Sequence, residues 1–251
     1  MLFHKTNLRV GDHDLLKNLK PLPTASYDPA RGCMDGTRVN VLARVESWAK
    51  SLTLQKIYWM YGLTGTGKSS IASSVAKKLA TVNSLGGSFF CNRDNVNARD
   101  PKLILTTLSY QLSLIFPPYR SEITAILRMD HILAESPPLL LFDELFAKPI
   151  GKLVHYELPR PYVIVVDALD ECDLADCKSI LHLLRRLSGL VPWLKVFITT
   201  RPNADFFDRA AGNIVCHDLG QEDAFDDILF SFGGVILGCL VDLVFQLFGA
   251  Q

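Results

Sequence analysis

Residues 62 to 70 read GLTGTGKSS, and no other stretch restricts the fold of this chain as much. They stand between a compact β-rich run, KIYWMY (56 to 61), and a segment in which Ile71, Val75 and Leu79 recur every four residues with alanines between them. An apolar strand must therefore turn through a few glycine-rich residues straight into a helix that packs close to a sheet. The spacing fits G-x-x-x-x-G-K-[ST], with Gly62, Gly67, Lys68 and Ser69 on the fixed positions. In such a loop successive backbone N–H groups point inward at an anion, and the following helix adds its positive end. Lys68 supplies a mobile charge for the β- and γ-phosphates of a nucleotide, and the Ser69 hydroxyl is placed to ligate Mg²⁺. Thr64, Gly65, Thr66 and Ser70 complete the expected wrap. A coincidental match in a chain this long is expected roughly once in a hundred, and here strand and helix also flank the loop.

A second stretch is as unusual. YVIVV (162 to 166) has the unbroken apolar character of a strand covered on both faces, yet Asp167, Asp170 and Glu171 follow at once. Three carboxylates so close repel one another, and by itself such a cluster reads equally well as a solvated loop. Beside a phosphate-binding loop it acquires a purpose. Asp167 is expected as the metal-binding acid, and Asp170 and Glu171 as the groups that orient or deprotonate a water for in-line attack. The spacing does not decide between those two. A third stretch, FITTRP (197 to 202), would set Thr199, Thr200 and Arg201 beside the γ-phosphate if its strand lies next to the first one. The bland alternative is a surface arginine before a proline turn.

Between these motifs strands alternate with helices. GGSFFC (86 to 91) is an apolar run, LILTTLSYQLSLIF (103 to 116) has helical period and stops at Pro117, and residues 119 to 160 are mostly helical by pattern. CKSILHLLRRL is a clear helix, LKVFITT a strand, and NIVCHDL a short last strand. Continuous rather than alternating apolar strands argue for a parallel sheet covered on both faces. The 251 residues suit one α/β domain. Its 26 basic and 26 acidic residues cancel, so no global field draws it to nucleic acid, and no specific nucleic-acid partner is expected. Six scattered cysteines without CxxC spacing read as free thiols of a reducing compartment. The opening MLFHKTNLRV lacks the apolar core of a secretory signal, so a cytoplasmic location is expected.

Taken together, CMDGTRVNVLARVESWA (33 to 49), IYWMYGLTGTGKSSIASSVA (57 to 76), SFFCNRDNVNARDPKLILTTLSYQLS (88 to 113), PYVIVVDALDEC (161 to 172) and VFITTRP (196 to 202) resemble the NACHT-type NTPase domain of fungal STAND proteins, a type also described as nephrocystin-3-like. The resemblance covers roughly residues 20 to 220. It implies a three-layer α/β P-loop NTPase core with an extra strand between the Walker A and Walker B strands, and it places a small residue, here Ala168, after the metal-binding acid. It also implies that Thr37 and Arg38 lie near the nucleotide base. Arg93 and Arg99 match the polar loop after the second strand, although by residue type alone both read as surface ion-pair residues.

In function the resemblance implies a switch, in which binding and slow hydrolysis of ATP or GTP toggle a monomer and a homo-oligomer that activates an attached effector. Within this sequence no effector precedes residue 20 and no helical, winged-helix or repeat region follows residue 220. The expectation is therefore a stripped or truncated module, or a partner for full-length NACHT relatives, divided into an arm (1 to 34), an NTPase domain (35 to 220) and an apolar tail (221 to 251). In that tail residues 228 to 250 carry a single charge, Asp242, and are long enough to cross a bilayer. Asp242 sits well inside, the flank is acidic and no Lys or Arg follows Arg209. A packed terminal helix, or a replaced chain end, is preferred over a membrane anchor.

Overall fold

Five apolar runs form one parallel sheet, and from the first to the fourth a helical segment carries the chain back across a face before the next strand. In the computed structural model, which describes residues 10 to 202 and 213 to 220, helix α1 (Val10–Lys17) and helix α2 (Val39–Lys50) precede strand β1 (Ile57–Tyr61). Helix α3 (Lys68–Thr81) leads to β2 (Leu85–Phe90). Then α4 (Pro101–Ile115), α5 (Pro117–Met129), α6 (Pro138–Phe142), a π turn (Asp143–Ala147) and α7 (Lys148–Gly151) lead to β3 (Tyr162–Asp167). Helix α8 (Leu174–Leu190) connects to β4 (Leu194–Thr200), and β5 (Ile214–Asp218) comes last. The spatial order is β2-β3-β4-β1-β5, with every pair parallel. Strand β4 thus lies between β1 and β3, the extra strand expected in a P-loop NTPase-like core.

Alternation along the strands explains the two cores. Ile57, Trp59 and Tyr61 join Ile164, Val166, Val196 and Ile198 on one face, under α4 to α8. Tyr58, Met60, Val163, Val165 and Phe197 face the other way, under α2 and α3. Helix α3 lays Ile71, Val75 and Leu79 on that second face, with Ala72 and Ala76 letting it approach closely. Helix α4 starts where Asp100 accepts from the Lys102 N–H (2.8 Å) and Pro101 opens the first turn. Pro117 does the same for α5, so one proline pair ends one helix and begins the next.

The segment before α2 is woven into this frame. Leu16 and Leu19 are fully buried in the larger core. The Leu22, Tyr27 and Cys33 N–H groups donate to the hydroxyls of Thr107, Ser88 and Ser74. The five described cysteines are free thiols. Among the described residues no helix is long and apolar enough to cross a membrane; the apolar tail, 221 to 251, lies outside the described residues.

One buried charge lies at the amino end of the sheet. Lys195, on β4, is fully buried and donates to the Trp48 carbonyl (2.6 Å) and the Ser51 hydroxyl (3.0 Å), with its ammonium 4.8 Å from the Trp48 ring centroid. Burial first, and then the charge of Lys56, push it down from 10.5 to about 8. The folded state therefore disfavours the cation. That penalty is complete below about 8 and is gone above the ordinary value of 10.5, so stability from this group rises with pH across that window. Against Lys195→Met, the wild-type chain is expected to gain at most about 3 kcal/mol over the interval, read from urea unfolding at both ends of it.

Candidate functional site

Strands β1, β3 and β4 point their carboxyl ends the same way, which is where an open parallel sheet leaves a crevice. The glycine-rich loop leaves β1 there. Gly67 has φ +87° and caps α3, and Gly65 has φ +85°, both in the left-handed region where a side chain is strained. Gly62 is constrained differently. A Cβ at that position would stand 3.0 Å from the Leu219 carbonyl oxygen and 3.0 Å from the Thr66 hydroxyl, so any side chain there would force the loop or the end of β5 to give by a few tenths of an ångström. The Leu219 N–H in turn donates to the Tyr61 carbonyl (2.7 Å).

The cations of the site lie against the loop itself. The Lys68 ammonium donates to the carbonyls of Gly62 and Leu63, both at 2.7 Å. Desolvation lowers its pKa, the charges of Asp170 and Asp167 raise it, and Arg201 lowers it again, so these four groups share one electrostatic environment. Arg38 begins α2 with φ +55° and donates from Nη2 to the Thr66 carbonyl (3.0 Å). It is thus held against the outer side of the loop. The Thr37 hydroxyl donates to the Met34 carbonyl (2.8 Å) and closes its own turn. Thr64 and Gly65 are exposed, and Ser70 is half-buried in the first turn of α3.

Each carboxylate of the acidic turn has its own partner. Asp167, at the end of β3, is only 2% exposed and accepts a 2.6 Å hydrogen bond from the Thr199 hydroxyl. Burial raises its pKa, hydrogen bonds from Thr199 and Ser69 and the charge of Lys68 lower it, and Glu171 raises it. Ala168 then takes the left-handed conformation (φ +53°), and one tight turn, Leu169–Glu171, follows with buried Leu169 as its anchor. Asp170 receives both the Arg201 backbone N–H (2.9 Å) and its Nε (3.1 Å). Glu171 receives the Arg93 backbone N–H (2.8 Å), with Arg201 Nη2 at 3.9 Å. Separate donors and a shared arginine offset the repulsion that three neighbouring carboxylates would suffer.

The structure thus brings Gly62, Gly67, Lys68, Ser69, Asp167, Asp170, Glu171 and Arg201 to one end of the sheet, with Arg38 behind the loop. Strand β4 does lie beside β1, with Tyr61 opposite Thr200. The hydroxyls of its two threonines are both engaged by other groups of the protein. The Thr199 hydroxyl is committed to Asp167, and that of Thr200 accepts from the Trp59 indole N–H (2.9 Å) and donates to the Arg201 carbonyl (2.8 Å). Sequence reasoning also missed that Arg93 contributes its backbone N–H. The Asx-type turn Asn92–Asp94, where the Asn92 side chain accepts from the Asp94 N–H (2.9 Å), is the local signal that could have found it. Arg99 makes only a long ion pair with Asp173, at 3.9 Å.

Comparison with known proteins bears on the same region. A family model described as Nephrocystin 3, N-terminal, matches residues 36 to 201. No curated protein matches the chain. Among solved structures, that of C. elegans PCH-2 is similar at 13% identity with a TM-score of 0.37, over 84% of this chain and 47% of that one. The chain therefore spans about half the length of that structure.

The left-handed Ala168 is what turns Asp170 and Glu171 back toward β4. Ala168→Gly is expected to fold with stability within about 1 kcal/mol of wild type. Ala168→Val, β-branched in a left-handed position, is expected to cost about 1 to 3 kcal/mol in urea unfolding.

Proposed function

We propose, on the premise that this chain belongs to the nephrocystin 3 N-terminal family, that it binds a nucleoside triphosphate with Mg²⁺ and hydrolyses it slowly, as the switch module of a signalling assembly. One observation carries the reading. A glycine-rich loop with its lysine, a buried aspartate, two further carboxylates and an arginine from three different strand ends meet at one end of the sheet. We place the nucleotide-binding unit at residues 35 to 220, between the arm (1 to 34) and the tail (221 to 251). ATP is the preferred substrate and GTP the alternative. The free thiols fit a reducing, cytoplasmic setting.

The residues divide the work as follows. The loop from Gly62 to Ser70 presents backbone N–H groups and the start of α3 to the phosphates. Lys68 exchanges its two loop carbonyls for phosphate oxygens, a stronger, charge-assisted pairing. For Mg²⁺ the donor set is of the right kind: the Ser69 hydroxyl and the Asp167 carboxylate are hard oxygen ligands brought within interaction distance of one another. Among the described residues no three acidic, His or Cys side chains converge on a ready-made ion site, so the protein's share would be this pair, with phosphate oxygens and water completing the shell. Bound there, the ion would neutralise charge on the phosphates. Arg201 leaves Asp170 and Glu171 for the terminal phosphate, and one of the freed carboxylates orients a water and accepts its proton. Arg38, through the Thr66 carbonyl, steadies the loop, and with Thr37 lies on the side assigned to the base.

As a switch, the module would act through self-association or through fuller relatives of the same family. A second reading is a nucleotide-binding and oligomerisation module with negligible turnover. The ties of Arg201 to both Asp170 and Glu171 favour it, because they keep the acids engaged. Mg²⁺-dependent phosphate release from ATP and GTP, with nucleotide binding followed in the same samples, separates the two. Lys68→Ala is expected to lower release by about a hundredfold or more and to weaken binding. Asp170→Ala combined with Glu171→Ala should abolish release while nucleotide is retained. Wild-type binding without any release would remove the hydrolytic reading and leave the second one.

A further inference from the structure

We propose that Thr199 is a positioning residue for the metal-binding acid, holding Asp167 against β4 so that the carboxylate is aimed before any ion arrives. The inference rests on the nucleotide-binding reading above. Thr199 is fully buried on β4, one step beyond the Val166–Ile198 pair, and so lies beside Asp167 on the neighbouring strand. A threonine hydroxyl has a single proton to donate. Here that proton goes to Asp167 Oδ1 (2.6 Å), while the Thr199 hydroxyl oxygen accepts the Ala168 N–H (2.8 Å). The side chain therefore cannot donate to a phosphate in this arrangement. It fixes both the carboxylate and the left-handed residue that follows it.

Two consequences distinguish this from ordinary packing. With one lobe of the carboxylate tied to β4, the remaining acceptor capacity is directed toward Ser69 and Lys68, the side from which an ion would be held. Partners of this kind orient metal ligands, and their loss typically weakens metal affinity about 10- to 100-fold. In addition, just past the end of β4, Arg201 pairs with Asp170 at 3.1 Å and reaches Glu171 at 3.9 Å. A single strand end thus braces the metal acid and the water-handling acids together.

The test is nucleotide binding, measured by the fluorescence of a labelled ATP analogue, with excess EDTA and across a Mg²⁺ titration. For Thr199→Val, which keeps shape and removes the hydroxyl, binding in EDTA should stay within about twofold of wild type, while the Mg²⁺ concentration needed for the metal-dependent gain rises about tenfold or more. Thr199→Ser, which keeps the hydroxyl, should restore the wild-type Mg²⁺ response. Thr199→Cys, of similar volume with a weak donor, repeats the comparison should the valine variant not fold. An unchanged Mg²⁺ response in Thr199→Val, an equal loss of binding in EDTA, or a serine variant as defective as the valine one would each overturn the assignment and leave the nucleotide-binding reading standing. A wild-type chain that binds no nucleotide at all would overturn both.

Discussion

A carboxylate at the end of a fully covered strand is the constraint on which the rest of this structure turns. An uncompensated buried charge costs several kcal/mol, so Asp167 needs donors that β3 cannot supply from its own backbone. Thr199 supplies one, and can do so only because β4 is the immediate neighbour of β3. The crossover through α8 places β4 there, and β4 in turn separates β3 from β1. The distance between the glycine-rich loop and the acidic turn is thereby set at two strand spacings, roughly 10 Å. Across that spacing only side chains meet, as in the Ser69 hydrogen bond to Asp167.

Much of this was legible from local pattern, and what was not has a common cause. The loop after β1, the period of α3, the continuous apolar strands and the proline pair after α4 all report short-range physics, because backbone conformation and burial leave marks within a few residues. The destination of a hydroxyl leaves none. Thr199 and Thr200 are adjacent and identical in sequence, yet one turns to an aspartate on β3 and the other to an indole on β1, a consequence of side chains alternating along a strand whose neighbours sequence had given only conditionally. Lys195 was hidden for a similar reason. In LKVFITT it looks like the polar member of an alternating run, and only the packing of α2 over that strand shows that it is buried. The segment before α2 showed no period because Pro21, Pro23 and Pro29 interrupt it, although Leu16 and Leu19 reach the core.

The site is also self-contained in its charges. Lys68 lies on two carbonyls of its own loop, Arg38 on a third, and Arg201 on two carboxylates. On the proposed reading Lys68 and Arg201 would give up these contacts to a polyanion while Arg38 keeps its hold on the loop, so binding would exchange one set of hydrogen bonds for another and not simply add new ones. Net affinity would then be a difference between two comparable sums, and selectivity would follow from whether a ligand can satisfy both cations at once. A single phosphate would have to compete with all the internal acceptors while replacing few of them.

The close passage of Gly62 under Leu219 has a mechanical meaning. The loop has little slack toward β5, since a single methyl group would push the Leu219 carbonyl aside by a few tenths of an ångström, and Leu219 is tied by its N–H to the last residue of β1. Leu219 is thus clasped from two sides by the strand and loop that precede α3, and the chain passes through this clasp as it leaves the sheet. The position of the loop and the position of the end of β5 are therefore one and the same geometric constraint, met at Leu219.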